Sequence, residues 1–428
     1  MAVLRYTFQT LSQCFRSVCF RPIPRRRSMP PAGRVSEVQL LEDRTLLSGD
    51  TLVELHQFTA NSVQPVVVGE TMFFADGGQL WKSDGTPNGT TLVHEFSSID
   101  PFTLTAFDGA VYFSANDLEF GQELWRSDGT AEGTSLLKDI YTGSQFSLPN
   151  SSRPSDFVVS GSSLYFLAAN DAQSRDLWAS DGTTEGTHRI LDVPTNAPSL
   201  LTDVNGTLFF NYQFFGSQMS IPAGLYRSDG TVEGTTLVTQ FGLGAFSWPR
   251  DIQTFEGDVY LRDSNGTVSI IDNLGLNRQL RGYYSDVTPG AIGVLLYGTE
   301  TFLGTNQLWF YDGDGDTPVP LSEVNLPSRT TTINDRFFFV AAADGTGIVN
   351  AELWTSDGTV DGTHLVEDLN PDRGTFDSAA NPWFFPFDGD VVFLADDGTN
   401  GYELWRSDGT PEGTDLFVDV NPGTGSGF

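Results

Sequence analysis

The dodecamer ELWRSDGTAEGT at Glu123 to Thr134 returns almost unchanged at Glu403 to Thr414 as ELWRSDGTPEGT. The aspartate of its SDGT core falls at Asp84, Asp128, Asp181, Asp229, Asp357 and Asp408. Between Asp229 and Asp357 the spacing leaves room for two eroded copies. Asp312 in QLWFYDGDGDT marks one, because Trp309 precedes it by three residues as Trp125 precedes Asp128, and Asp272 in TVSIIDN marks the other. Successive copies then stand 40 to 53 residues apart, the period of propellers and solenoids, in which one repeat cannot bury its own apolar surface and stacks on its neighbours.

Within the second copy, four short apolar segments, FTLTAF, AVYFSA, ELWRSD and TSLLKDI, are separated by turn residues. Asp108-Gly109 joins the first two, and Asp-Gly between β-rich runs is a strong hairpin signal because tight hairpin turns need positive φ. Each copy therefore reads as a four-stranded antiparallel meander. Strand alternation sets Leu124 and Trp125 on opposite faces, with Tyr112 opposite Val111 and Phe113, so both faces carry bulk. A small sheet of that kind is sandwiched between two others. The expected fold is an all-β propeller of eight four-stranded blades, or seven if the fifth copy is not a blade, spanning residues 51–428 behind a basic, largely disordered leader at 1–50. The segment TLVELHQF at residues 51–58 resembles a fourth strand without its first three, and could close the ring on the last blade.

Charge narrows the partners. The leader holds 8 Arg and 4 acids, which leaves the remainder with 15 basic and 51 acidic residues. A surface that acidic repels a phosphate backbone, whose binding requires Lys and Arg to displace counterions, so nucleic acid is not an expected partner. Cations, basic proteins and neutral glycans remain. Both cysteines, Cys14 and Cys19, lie in the leader, so the body has no thiol for a disulfide, zinc site or nucleophile. No apolar run approaches the roughly 18 residues of a membrane-spanning helix, and Arg5 and Arg16 interrupt the nearest imitation.

The residues ELWxSDGTxxGTxLV resemble the ELWxxDGT repeat family of large bacterial surface and secreted proteins, loosely called hyalin-like. The match covers residues 51–420, strict in copies two, seven and eight and eroded in five and six. It implies a propeller and an extracellular or cell-surface location rather than an activity. Separately, RVSEVQLLEDRTLLSG at Arg34 to Gly49 follows an arginine cluster and resembles the LEPR-XLL type of N-terminal signature on exported bacterial proteins, with Asp43 where Pro is usual. The SDGT loop is also similar to the Asp-box turn of sialidase-like propellers, which joins a blade's third and fourth strands and is structural there.

The chemistry of the repeated residues agrees with that analogy. An aspartate in such a turn accepts hydrogen bonds from backbone two residues on, glycine takes the positive φ, and threonine hydroxyls tie down the next strand. A sialidase would need several arginines converging on a carboxylate, whereas Lys82, Arg126, Arg227 and Arg406 share one repeat position and are spread around a ring. His94, His188 and His364 lie in fourth strands, which suits surface or packing roles. With no cysteine in the body and no nucleophile elbow, no catalytic residue is identified.

Two stretches break the repetition. In YDGDGDTPVPLSE, Asp312, Asp314, Asp316 and Glu323 take positions 1, 3, 5 and 12 of a calcium loop, whose hard cation wants several oxygen ligands. Thr317 stands where that loop wants Gly, so a decayed SDGT turn is the other reading. LRGYYSD at Leu280 to Asp286 and LLYGTETF at Leu295 to Phe302 are the second departure, the place where a symmetric ring could hold one specific site. The function expected is a non-catalytic scaffold binding cell-surface polysaccharide or protein, with calcium as its one candidate ion. The alternative is a glycan-active hydrolase or lyase using carboxylates in the central channel or near blades five and six.

Overall fold

The computed structural model describes residues 44–45, 51–52 and 65–419, apart from 172–174, 194–196, 214–220, 241–248, 273–276, 302–305, 323–324, 343–350, 372–374 and 377–383. Among the described residues eight antiparallel sheets, seven of them four-stranded, follow one another along the chain, over residues 66–95, 98–138, 155–191, 199–240, 249–279, 283–322, 325–367 and 384–418. In blade two an extra short strand makes five. The first strands of successive blades adjoin from the first to the eighth, so the sheets stand side by side as the blades of a β-propeller. The eroded fifth copy is a full blade with strands Pro249–Phe255, Asp258–Asp263, Val268–Ile271 and Asn277–Gln279, which removes the seven-bladed alternative. Asp272 follows its third strand, as Asp128 follows Gly121–Ser127. Among the described residues no helix is long and apolar enough to cross a membrane.

The first segment of blade two departs from its sequence reading. FTLTAF is not one strand: Pro101–Thr103 is a 3-10 turn capped by Asp100, whose carboxylate accepts the Phe102 N–H at 3.1 Å. Short strands on either side of it, Ser98–Ile99 and Thr105–Phe107, both pair with Ala110–Asp117. Proline supplies the fixed φ that suits the start of a helical turn and has no N–H to offer the ladder. The Asp108-Gly109 hairpin is as the dipeptide requires, with both φ angles positive at 44° and 70°. Of residues 51–58, Thr51 and Leu52 pair with Arg44 and Thr45 rather than with the last blade, and residues 53–58 lie outside the described residues.

The core runs between blades. Trp125 packs with Phe73, Leu80 and Val93 of blade one, whereas Leu124 packs with Leu164, Phe166 and Trp178 of blade three. The rule repeats around the structure: Trp178, Tyr226, Trp309 and Trp405 join clusters with the preceding blade, and Leu177, Leu225, Leu308 and Leu353 clusters with the following one. At this step, Leu–Trp in six blades and Leu225–Tyr226 in blade four, seven of the blades carry a β-bulge between third and fourth strands. In blade two Leu124 pairs with Lys138 and Trp125 with Leu136, so Leu137 is the extra residue, and it is buried.

Leu124→Ala and Trp125→Ala open cavities on opposite faces of one blade. Each should lower unfolding free energy by about 2–5 kcal/mol in denaturant titration. Because their cavities face different neighbours, the double variant should lose close to the sum.

Candidate functional site

Six SDGT turns have the same construction. The Oδ1 atoms of Asp84, Asp128, Asp181, Asp229, Asp357 and Asp408 each accept the backbone N–H of the threonine two residues on at 2.9–3.0 Å, and its hydroxyl at 2.7 Å. That hydroxyl oxygen in turn accepts the N–H of the glycine in the GT pair at 2.9–3.1 Å. Below the turn, the serine of SDGT and the last threonine share a hydrogen bond at 2.7–2.8 Å, which fastens the third strand to the fourth. The GT glycine is dictated by space: a Cβ on Gly133 would meet Asp128 Oδ1 at 2.0 Å, and the other five copies are equally tight.

The turns also join blades. Lys82 Nζ donates to the carbonyl of Gly129 at 2.7 Å, and Lys138 Nζ to that of Thr187 at 2.6 Å. A His188 ring nitrogen lies 3.1 Å from the Gly230 carbonyl oxygen, and Arg278 donates to that of Gly313 at 3.0 Å. In each case a polar side chain of one blade reaches the turn of the next. His94 instead packs against Phe96 and Trp125.

On the other face, the glutamate of ELW clamps the connection between blades. Glu123 is fully buried and accepts the Ile140 N–H at 2.9 Å, the Ser152 N–H at 2.8 Å and the Ser152 hydroxyl at 2.5 Å. Glu352 accepts the Thr375 N–H at 2.8 Å and also its hydroxyl. In blade three Asp176 does the same work, taking the Val193 N–H at 3.0 Å and pairing with Arg189 at 3.0 Å. Burial pushes the Glu123 and Glu352 carboxyls up to about 7, against the pull of these hydrogen bonds. No single-residue signal in the sequence gives this role, because the partners lie 17 to 29 residues away in loops of variable length.

The candidate calcium residues are only partly described. Asp312 Oδ1 accepts the Asp314 N–H at 3.0 Å and Asp316 Oδ1 the Thr317 hydroxyl at 2.9 Å, while Glu323 lies outside the described residues. Among the described residues no group of three or more His, Cys, Asp or Glu side chains could hold a metal ion. The carbonyls of Gly313 and Gly315 face the guanidinium of Arg278 at 3.0 and 3.1 Å, so a protein cation already sits against this loop.

The irregular blades five and six bring carboxylates together. Asp251 and Asp286 lie on adjoining first strands, and Arg262 is the cross-strand partner of Asp251. Burial pushes the Asp286 carboxyl up and the charge of Asp251 adds to this, while the Val287 N–H and Arg262 oppose it. The aromatics singled out in this region divide: Tyr284 is buried in the cluster between blades five and six, and Tyr283 is exposed.

A cleft of about 460 Å³ opens between blades seven and eight, lined by Ile333, Asn334, Asp335, Arg336, Phe338, Asp357, Gly389 and Asp408. It lies on the face of the SDGT turns, between those of its two blades. Its volume is in the range of small-ligand sites. The repeat marks Asp357 and Asp408 as turn residues, whereas no sequence motif marks Arg336 or the cleft itself.

No family model matches this sequence, and no curated protein matches it. Solved structures similar to it include a computationally designed protein, Ika8, with a TM-score of 0.43 and 14% identity over 82% of this chain and 97% of that one. The β-propeller domain of the Trilobed protease from Pyrococcus furiosus has a TM-score of 0.36 and 13% identity over 84% of this chain and 98% of that domain. BamB from Moraxella catarrhalis has a TM-score of 0.41 and 12% identity over 78% and 92%. An acylaminoacyl peptidase from Pyrococcus horikoshii, with a TM-score of 0.36 and 15% identity, matches 83% of this chain, which spans about half of the peptidase (52%).

Gly133→Ala should cost roughly 1–3 kcal/mol through overpacking, and Asp128→Ala about as much through its lost hydrogen bonds, both read by denaturant titration. The pH profile should bend in two places. Glu123 and Glu352 have folded values raised above their ordinary 4.5, so their contribution is complete below about 4.5 and is lost as pH rises through about 7. Asp128, Asp181, Asp229, Asp357 and Asp408 are lowered by their threonine hydrogen bonds, so theirs is present above the ordinary 3.8 and is lost as pH falls below it. Thermal melting should therefore be highest near pH 5 and lower at pH 8, and Glu123→Gln should reduce the difference between pH 5 and pH 8.

Proposed function

We propose that the protein is a non-catalytic binding scaffold of the cell exterior, holding surface polysaccharide or protein on the face formed by its SDGT turns. The observation that carries this reading is the cleft between blades seven and eight, an indentation with polar groups on an otherwise repetitive face. The resemblance of the leader to an export signature and of the repeats to surface proteins supports the location. The repeated aspartates are committed to their turns, which suits a rigid support.

One observation favours a second reading, a glycan-active hydrolase: the Asp251 and Asp286 carboxylates with Arg262 beside them, one carboxyl raised as a general acid requires. The two readings separate in one experiment. The purified full chain is incubated with cell-envelope polysaccharides and proteins, and both retention and newly formed reducing ends are measured. The scaffold should retain a ligand saturably and release no reducing ends. Release of reducing ends that Asp286→Asn abolishes would replace it with the hydrolase.

A further inference from the structure

Arg336 opens the second strand of blade seven, directly after a two-residue turn, and pairs with Ile333. The residues in the same register position of the other blades are Thr71, Ala110, Ser163, Thr207, Asp258, Val294 and Asp390. Only blade seven puts a long cationic side chain there. Its charge acts on Asp357 and Asp408, while among the described residues Arg336 Nη1 is buried without a hydrogen-bond partner. A buried N–H left unmade is costly, and such a group in a native cleft calls for an acceptor that enters it. Around it stand Asp335, Asp357 and Asp408. The last two spend Oδ1 on their own threonines, which leaves Oδ2 outside those bonds. At the rim Asn334 Nδ2 donates to the Gly389 carbonyl at 3.4 Å, and a Cβ on Gly389 would meet no described residue within 4 Å.

Resting on the scaffold reading, we propose that this cleft between blades seven and eight is a binding site for a neutral saccharide, with Arg336 donating to a sugar hydroxyl and Asp335, Asp357 and Asp408 accepting from others. The charge balance selects this class. Three carboxylates against one guanidinium, on a chain of net charge −32, repel an anionic ligand such as a uronate polymer. A cationic ligand would satisfy the carboxylates but leave Arg336 Nη1 without its acceptor and face its charge. A sugar hydroxyl both donates and accepts, so adjacent hydroxyls satisfy the carboxylates and the guanidinium together without adding charge. Ile333 and Phe338, buried in the core cluster between blades seven and eight, close the floor of the cleft.

The test uses the full chain and immobilised neutral polysaccharides (a mannan, a β-glucan and a galactan), with polygalacturonate, spermine and cell-envelope protein alongside. A neutral polysaccharide should bind saturably. Arg336→Met should weaken that binding ten- to a hundredfold, the span expected for a lost charge-assisted hydrogen bond, with an unchanged melting temperature. Asp335→Asn, outside the turn bonds, should weaken it severalfold and carries the test if Arg336→Met melts early. The saccharide site is overturned if the variants bind neutral glycan as the parent does, if polygalacturonate or spermine is preferred, or if only protein is retained; the scaffold reading survives each of these. Retention of nothing by the parent overturns both.

Discussion

Every other feature of this protein depends on the inability of a four-stranded sheet to bury either of its faces alone. Each blade carries bulky residues on both sides, Leu124 toward blade three and Trp125 toward blade one, so neither face can be left to water. Fully burying a side chain of that size stabilises by about 1.5–3 kcal/mol, and each of these two clusters contains eight such residues beside two alanines. Stacking is therefore the core, and the polar motif around it keeps consecutive blades in register.

With the geometry in view, the dodecamer divides its labour. Its glutamate fastens the link to the next blade, its leucine and tryptophan fill the two interfaces, and SDGTxxGT closes the third strand onto the fourth. Lysine, histidine or arginine from one blade then reaches a backbone carbonyl in the turn of the next, so the turn is a joint as well as a corner. Repetition arises because each blade meets the same folding requirement. The carboxylates illustrate how location changes chemistry: Asp128, Asp181, Asp229, Asp357 and Asp408 are lowered by local donors in their turns, while Glu123 and Glu352, buried between connections, are pushed up.

Departures from the repeat mark where one blade differs chemically from the others. Blades five and six lose the SDGT sequence yet keep four strands, and their first strands bring Asp251 and Asp286 together. Blade seven keeps the motif faithfully and changes one residue beside it, placing Arg336 where other blades have shorter or acidic side chains. The two changes differ in visibility. The first is apparent as missing letters; the second is a single substitution in a hairpin whose sequence varies anyway.

The sequence by itself determined the repeat, the four-stranded unit, the turn chemistry of Asp128 and Gly129 and the opposed faces of Leu124 and Trp125, because these depend on residues within one copy and on strand periodicity. Tertiary structure alone decided that the fifth copy is a complete blade, that Glu123 clamps a connection, that the Leu–Trp step carries a bulge, and that Arg336 lies between two aspartates of different turns. Each of those requires groups from separate strands or blades to meet. The distances that bring them together are fixed by packing between sheets, which no spacing within a single repeat encodes.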